Sequence, residues 1–321
     1  MKEFDIIDRF FKQERESRKD VIQGIGDDCA ITRVPEGLNL AITTDTLISG
    51  VHFPVDTPPE AIAHKALAVN LSDLAAMGAE PAWFSLSLSL PNIDEAWLEA
   101  FSQSLFEVSK YYSIQLIGGD TVQGPLAITI TAQGFVPNEH ALMRSTAKPG
   151  DLVYVTGTIG DAGAGLDIKL GKLDSSELAA NYLLNRLNYP APRLLAGTAL
   201  RRTASSCIDI SDGLVQDLQH ILNASECGAK IHVKNLPLSV ALKETVDLEQ
   251  AIQYALSSGD DYELLFTVNE EQKGNLETAL ANANINATCI GQLTGVKRKL
   301  ELVFDDEPYE QQGACFEHFS V

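Results

Sequence analysis

"PEAIAHKALAVNLSDLAAMGAEPAWFSLSLSLP" occupies residues 59–91, and two periodicities meet in it. Pro59 stands where a helix begins, and Gly78 and Pro81 stand where it must stop. The residues after Pro81 alternate. Phe84, Leu86, Leu88 and Leu90 take one face, and Ser85, Ser87 and Ser89 take the other, as in a half-buried strand. A long helix thus feeds a strand with one apolar and one hydroxyl face. Asp73 lies inside the helical pattern, bracketed by Leu71, Leu74, Ala75 and Ala76. A carboxylate there needs a cation, a hydrogen-bond partner or a proton.

Working outward, the same alternation of helices and strands recurs. Phe4, Ile7, Phe10 and Phe11 suggest an opening amphipathic helix over 3–16, and "LNLAITTDT" (38–46) reads as a strand. Asp94 is placed to cap a helix that turns Trp97, Phe101, Leu105 and Val108 inward. "IQLIGGD" (114–120) and "LAITITAQGFV" (126–136) follow as strands. The pattern breaks at "PNEHALMRSTAKPGD" (137–151), which sets a boundary between domains 1–137 and 138–321. Beyond it, "DLVYVTG", "CIDIS", "DDYELLFTV", "ATCIGQL" and "KLELVF" read as strands with helical patterns between them, one starting at Leu214. The class is therefore α/β or α+β, and the short alternating strands favour mixed sheets over fully parallel ones.

A chain of 321 residues can build two cores. Its 44 acids against 24 bases give a formal charge of −20, which repels nucleic-acid backbones and suits cations. The five cysteines are scattered and lack any CxxC spacing, which argues against a disulfide framework or a zinc site and fits a reducing cytoplasm. The charged opening segment predicts no signal peptide, and no apolar run approaches a membrane span.

The acids gather beside glycines and hydroxyls. Asp27 and Asp28 follow a glycine turn in "GIGDDCA" (24–30). Asp45 closes "AITTD", Asp120 closes "LIGGD", Asp209 and Asp212 flank the end of "CIDISDG", and Asp260 and Asp261 open "SGDDYE". Most are read as strand ends or adjoining turns, where α/β proteins collect ligand residues. Carboxylates and hydroxyls with few histidines or thiols suit hard cations, Mg²⁺ above all, and Mg²⁺ commonly shares its shell with phosphate oxygens. A phosphate-bearing substrate follows as an expectation. No P-loop and no protein-kinase motif is present. "TGTIGDAGAG" (156–165) offers either a phosphate cradle or a loop packed close to a helix.

Taken in order, "GIGDDCA", "TTDTLISGVHF", "KALAVNLSDLAAMGAEP", "QLIGGDT", "MRSTAKPGD", "VTGT", "DISDGL" and "SGDDYEL" resemble the thiamine-monophosphate kinase family over about residues 4–320. That family belongs with aminoimidazole-ribonucleotide synthetase and selenophosphate synthetase. No Cys or selenocysteine precedes "GIGDDCA", which speaks against the latter. The resemblance implies two domains, each a mixed sheet with helices packed on one face. It implies ATP-dependent phosphorylation of thiamine monophosphate to thiamine diphosphate, with several Mg²⁺ ions, in a cytoplasmic homodimer. The N-terminal domain would bind ATP and metal and form the dimer, and the C-terminal domain would complete the nucleotide and substrate sites. Carried over residue by residue, Asp28, Thr43, Thr44, Asp45, Asp73, Asp120, Asp209 and Asp212 would be metal ligands. Tyr112, Gly119, Asp120, Arg144 and Ser211 would touch ATP. His52, Asp260 and Phe316 would touch the thiamine substrate, and Asp27 and Asp261 could share their neighbours' roles. The competing readings are another ATP-using member of the superfamily, a metal-dependent phosphohydrolase, and a non-enzymatic cation-binding protein.

Overall fold

The computed structural model describes residues 3–12, 18–312 and 315. It divides into two compact units, Met1–Leu74 with Ala79–Glu139, and Ala75–Gly78 with His140–Val321.

The first unit opens with a helical turn, α1 (Glu3–Ile6), continued as a wider π turn over Ile7–Phe11 that buries Phe10 and Phe11. The expected helix over 3–16 thus ends at Phe11, capped by Lys12, and residues 13–17 lie outside the described residues. A small antiparallel pair follows, β1 (Val21–Gln23) and β2 (Ile31–Thr32). The strands β3 (Leu38–Ile48), β4 (Glu80–Leu90), β5 (Gln115–Gln123) and β6 (Ala127–Pro137) form one sheet in the order β3-β6-β4-β5. Only β4 and β5 run parallel.

The two long helices described in this unit explain the alternation in β4. α2 (Pro59–Ala76) is buried on nearly every side, from Ala61 and Ile62 to Leu71 and Leu74. α3 (Glu95–Tyr111) is capped by Asp94, whose side chain accepts from the N–H groups of Ala96 (3.0 Å) and Trp97 (3.1 Å). Its buried stripe includes Leu98, Phe101, Leu105 and Val108. Phe84, Leu86, Leu88, Ile128, Ile130 and Ala132 form the covered face of the sheet. The other face carries hydroxyl rows. Thr44 pairs in register with Thr131, which pairs with Ser85, and Thr46 pairs with Thr129, which pairs with Ser87.

The second unit holds a seven-stranded sheet in the order β13-β12-β9-β11-β7-β10-β8. Its strands are β7 (Leu152–Thr156), β8 (Ala204–Asp209), β9 (Gly228–His232), β10 (Leu264–Val268), β11 (Ala287–Thr294), β12 (Leu300–Phe304) and β13 (Glu307–Pro308). Among the described residues of this sheet, the only parallel pair is β9 with β12. The helices are α4 (Asp161–Lys169), α5 (Glu177–Asn188), α6 (Leu194–Leu200), α7 (Leu214–Ser225), α8 (Val240–Thr245), α9 (Leu248–Ser257) and α10 (Lys273–Asn282). Leu214, Leu218, Ile221 and Leu222 of α7 and Ile252, Ala255 and Leu256 of α9 pack with Val153, Val155, Ile208 and Leu265 into the main core. β10 is buried at every residue, so at that strand both faces are covered. No described helix is long and apolar enough to cross a membrane.

Candidate functional site

In the first unit the register of β3 decides which side chains meet. Asp45 shares a row with Ile130 and Leu86, and Thr43 shares one with Ala132 and Phe84. Both therefore lie on the covered face, against α2. The Thr43 hydroxyl donates to Oδ2 of Asp73, which lies in the last turn of that helix. Burial pushes the Asp45 carboxyl up to about 6, and the charge of Asp73 adds to the rise. Two carboxylates and a hydroxyl thus converge under α2, which answers what an acid does inside that apolar helix. The donor set is all oxygen and carries excess negative charge, and it fits a hard cation such as Mg²⁺.

Asp45 is not at a strand end, as the sequence suggested. β3 continues to Ile48, because Thr46, Leu47 and Ile48 keep pairing with Thr129, Ile128 and Ala127. Asp120 likewise lies inside β5, which runs on to Gln123. By register it stands beside Ser87, in the row of Thr129 and Thr46. It occupies the hydroxyl face, not the face of Asp45. Thr44 also belongs to the hydroxyl face, with its Oγ1 2.9 Å from Thr131 Oγ1.

Gly119 precedes Asp120 and tolerates no side chain, since a Cβ there would come 1.9 Å from the Leu86 carbonyl oxygen. Asp27 and Asp28 are exposed on their turn, where the Asp28 N–H donates to Asp27 Oδ1 at 2.9 Å. Gly26 makes that turn with φ +123°, an angle few other residues adopt. Tyr112 is the C-cap of α3, half-buried and edge-on to Tyr111. His52 follows β3 and accepts the Ile48 N–H on Nδ1 at 3.0 Å, which leaves the ring proton on Nε2. The buried Lys65 reaches the His52 carbonyl oxygen at 3.4 Å.

The second unit gathers another group. β8 ends at the buried Asp209, and a turn of Ser211, Asp212 and Gly213 leads into α7. Three successive N–H groups, of Ser211, Asp212 and Gly213, donate to one oxygen, Oδ2 of Asp217, each at 3.1 Å. Burial pushes the Asp217 carboxyl up to about 7 against the pull of these N–H groups, and the charge of Asp212 adds to the rise. The Asp260 N–H donates to the Ser211 carbonyl oxygen (2.9 Å), which brings "SGDDYE" beside "DISDG". Asp260 has φ +67° and accepts from the Tyr262 hydroxyl at 3.0 Å. Ligand atoms of Asp212, Asp217 and His220 lie within 4.8 Å of one another. Arg144 is exposed, and its carbonyl oxygen accepts from Ser225 Oγ at 2.7 Å. Phe316 lies outside the described residues.

Asp261 does not share the setting of Asp260. It is buried and accepts the Gly160 N–H at 2.7 Å, and burial raises its carboxyl well above the ordinary range. It belongs to a charged cluster that sequence reasoning missed. Glu263, fully buried, accepts from Thr156 Oγ1 (2.7 Å), Arg186 Nη2 (3.0 Å) and Arg193 Nε (2.6 Å). Asp161 accepts from Thr158 Oγ1 and Ser239 Oγ, each at 2.6 Å, with Arg186 Nε 3.6 Å away. Burial works against the charge of Arg186, but Glu263, Asp261 and Asp161 outweigh it and raise its pKa.

This cluster accounts for the glycines of "TGTIGDAGAG". A Cβ on Gly157 would come 2.3 Å from Glu263 Oε1, and one on Gly160 would come 2.7 Å from the Ala255 nitrogen. The glycines bring the loop against the protein's own carboxylates and α9, and the Gly160 N–H is already used by Asp261. Close packing is thus what the structure shows this loop to provide.

Residues 26–136 match the family model described as AIR synthase related protein, N-terminal domain, and residues 148–302 match its C-terminal domain. The thiamine-monophosphate kinase of Escherichia coli (strain K12) is 53% identical over 320 residues, covering 99% of this chain and 98% of the relative. That of Haemophilus influenzae is 50% identical over 296 residues, covering 91% and 89%. The solved thiamine-monophosphate kinase of Stenotrophomonas maltophilia K279a superposes with a TM-score of 0.84 at 42% identity, covering 91% of this chain and 93% of that one. AaThiL, solved in complex with AMPPCP and TMP, superposes with a TM-score of 0.78 at 32% identity, covering 92% of each chain. The hydrogenase maturation protein HypE in complex with ATP, at 18% identity and a TM-score of 0.73, shares the fold. Full-length identity, both family domains and the superpositions agree: the chain belongs to the thiamine-monophosphate kinase family.

Proposed function

We infer that this protein transfers the γ-phosphoryl group of ATP to thiamine monophosphate, giving thiamine diphosphate and ADP. The observation that carries the reading is the convergence of Thr43, Asp45 and Asp73 under α2, in a chain 53% identical to a thiamine-monophosphate kinase. The bond from the γ-phosphorus to the bridging oxygen breaks, and a bond from that phosphorus to an oxygen of the acceptor phosphate forms. The second pKa of a phosphate monoester is near 6, so the acceptor is already an anion at neutral pH. No side chain has to act as a general base. What the reaction demands is alignment of two polyanions and relief of their repulsion.

The ligands we propose for Mg²⁺ in the first unit are Thr43, Asp45 and Asp73, with Asp28, Thr44 and Asp120 assigned by the family pattern. In the second unit they are Asp209 and Asp212. When bound, the ions would neutralise phosphate charge where these carboxylates hold them. Tyr112, Gly119, Asp120, Arg144 and Ser211 are proposed for ATP, Arg144 through its planar fork. His52 donates from Nε2 to the acceptor phosphate, and Asp260 and Phe316 meet the thiamine cation. The expected site of action is the cytoplasm, in keeping with free cysteines throughout.

Purified protein incubated with ATP, Mg²⁺ and thiamine monophosphate is expected to yield thiamine diphosphate and ADP, and EDTA is expected to stop the reaction reversibly. Release of free phosphate without an acceptor would favour a phosphohydrolase, and full turnover in metal-free buffer would remove the cation from the scheme. His52→Ala is expected to raise the KM for thiamine monophosphate by about tenfold, as expected for one lost charge-assisted hydrogen bond of about 1.5 kcal/mol, and the KM for ATP much less. Equal loss for both substrates would make His52 a structural residue.

A homodimer formed through the first unit is also proposed. The hydroxyl face of its sheet exposes Ile42 (63%), with Leu40 and Ile48 also exposed. An apolar strip among small hydroxyls suits a partner of the same kind. Light scattering is expected to give twice the chain mass, and a monomer mass at micromolar concentration would contradict this.

A further inference from the structure

Among the described residues of the second unit, the Ser211–Asp212–Gly213 turn is held from one point. One oxygen of Asp217 receives three consecutive backbone N–H groups, an arrangement that suits an anionic acceptor. Asp217 sits in the first turn of α7 and is 2% exposed, so water does not compete for that oxygen. The turn then holds a second segment. The Ser211 carbonyl oxygen takes the Asp260 N–H (2.9 Å), and the Ile210 carbonyl oxygen takes the Tyr262 N–H (2.9 Å). Gly259 lies so close that a Cβ on it would come 2.1 Å from the Ser211 oxygen. Asp260 and Tyr262 both have positive φ, a backbone state that persists only where the surroundings impose it.

We propose that Asp217 is a positioning residue. It holds Ser211 and Asp212, and through the Ser211 carbonyl also Asp260, in the geometry that nucleotide and thiamine binding require. This rests on the functional reading above. It acts through the backbone, because Oδ2 takes three N–H donors.

The test compares Asp217→Ala with Asp217→Asn, whose amide oxygen can accept the same N–H groups. Asp217→Ala is expected to raise the Mg²⁺–ATP concentration needed for half-maximal rate by about 10- to 100-fold, the range typical of residues that orient ligands. It is also expected to speed amide hydrogen exchange at 211–213 and at Asp260. Asp217→Asn is expected to recover most of both losses. If Asp217→Ala does not fold, Asp217→Ser, with a shorter acceptor, takes its place with the same expectations. Unchanged exchange at 211–213 and Asp260 in Asp217→Ala would overturn the proposal. So would an Asp217→Asn variant that keeps wild-type exchange yet loses as much activity as Asp217→Ala, since the charge itself would then be what matters. Exchange is read without substrates, so wild-type protein inactive on thiamine monophosphate would refute the functional reading, while exchange still decides whether Asp217 anchors the turn.

Discussion

Asp73→Asn is expected to lower turnover by at least about 10²-fold, the order lost with one key electrostatic contact, while leaving the metal-free protein as stable as wild type or more so. The substitution is nearly isosteric, and an amide oxygen can still accept the Thr43 hydroxyl that Asp73 accepts now. What it removes is a negative charge beside Asp45. In the fold the Asp45 carboxyl sits at about 6, against 3.8 for the ordinary side chain. Between those values the native state holds the more protons, so this group's contribution to stability is full below about pH 4 and is lost as the pH rises through 6. In EDTA, wild type should therefore lose stability across that window. Asp73→Asn should shrink the loss without abolishing it, because burial is the larger cause and Asp73 the smaller. The stabilisation gained on adding Mg²⁺ and ATP should shrink too, since it depends on binding to the native state. Melts from pH 4 to pH 7, with and without Mg²⁺–ATP, beside a steady-state assay, test each part. Near-normal turnover would take Asp73 out of the site. Unfolding of the free variant would make its carboxylate a structural group.

Glu263→Ala is expected to destabilise the protein by about 3–5 kcal/mol, the cost of breaking a buried ion pair from one side. Glu263 takes donors from Thr156, Arg186 and Arg193 with no exposure to water. Removing it leaves two guanidinium groups facing the gap, of which Arg186 has only 12% of its side chain exposed. Asp161 and Asp261 offset part of that charge, which favours the lower end of the range. Urea denaturation measures the change directly. A loss under about 1 kcal/mol, within the range of surface ion pairs, would mean that the cluster does not hold the Gly157–Gly160 loop in place.

Periodicity and punctuation sufficed for most elements. Pro59, Gly78 and Pro81 bracket α2, and Asp94 starts α3 because the capping chemistry is local. The strands with clean alternation lie where the pattern puts them. β9 (Gly228–His232) was not legible, because five residues between a helix and a short 3-10 turn carry little pattern of their own. Nor was the length of β3 and β5 past their acids, since pairing with a partner strand decides where a strand ends.

For the site, residue type and order along the chain were enough to name the thiamine-monophosphate kinase family, to which the chain belongs, and to set out an oxygen-rich group of candidate residues. They were not enough to say which of those residues meet. Thr43 and Asp45 join Asp73, while Thr44 and Asp120 face the hydroxyl side, because strand register assigns each side chain to one face and the sequence does not print the register. Asp217, Glu263 and Arg186 looked like ordinary helix and strand residues in a linear reading. Only the fold brings Asp217 under three N–H groups and Glu263 between two arginines, because burial and hydrogen-bond partners are properties of distant segments brought together.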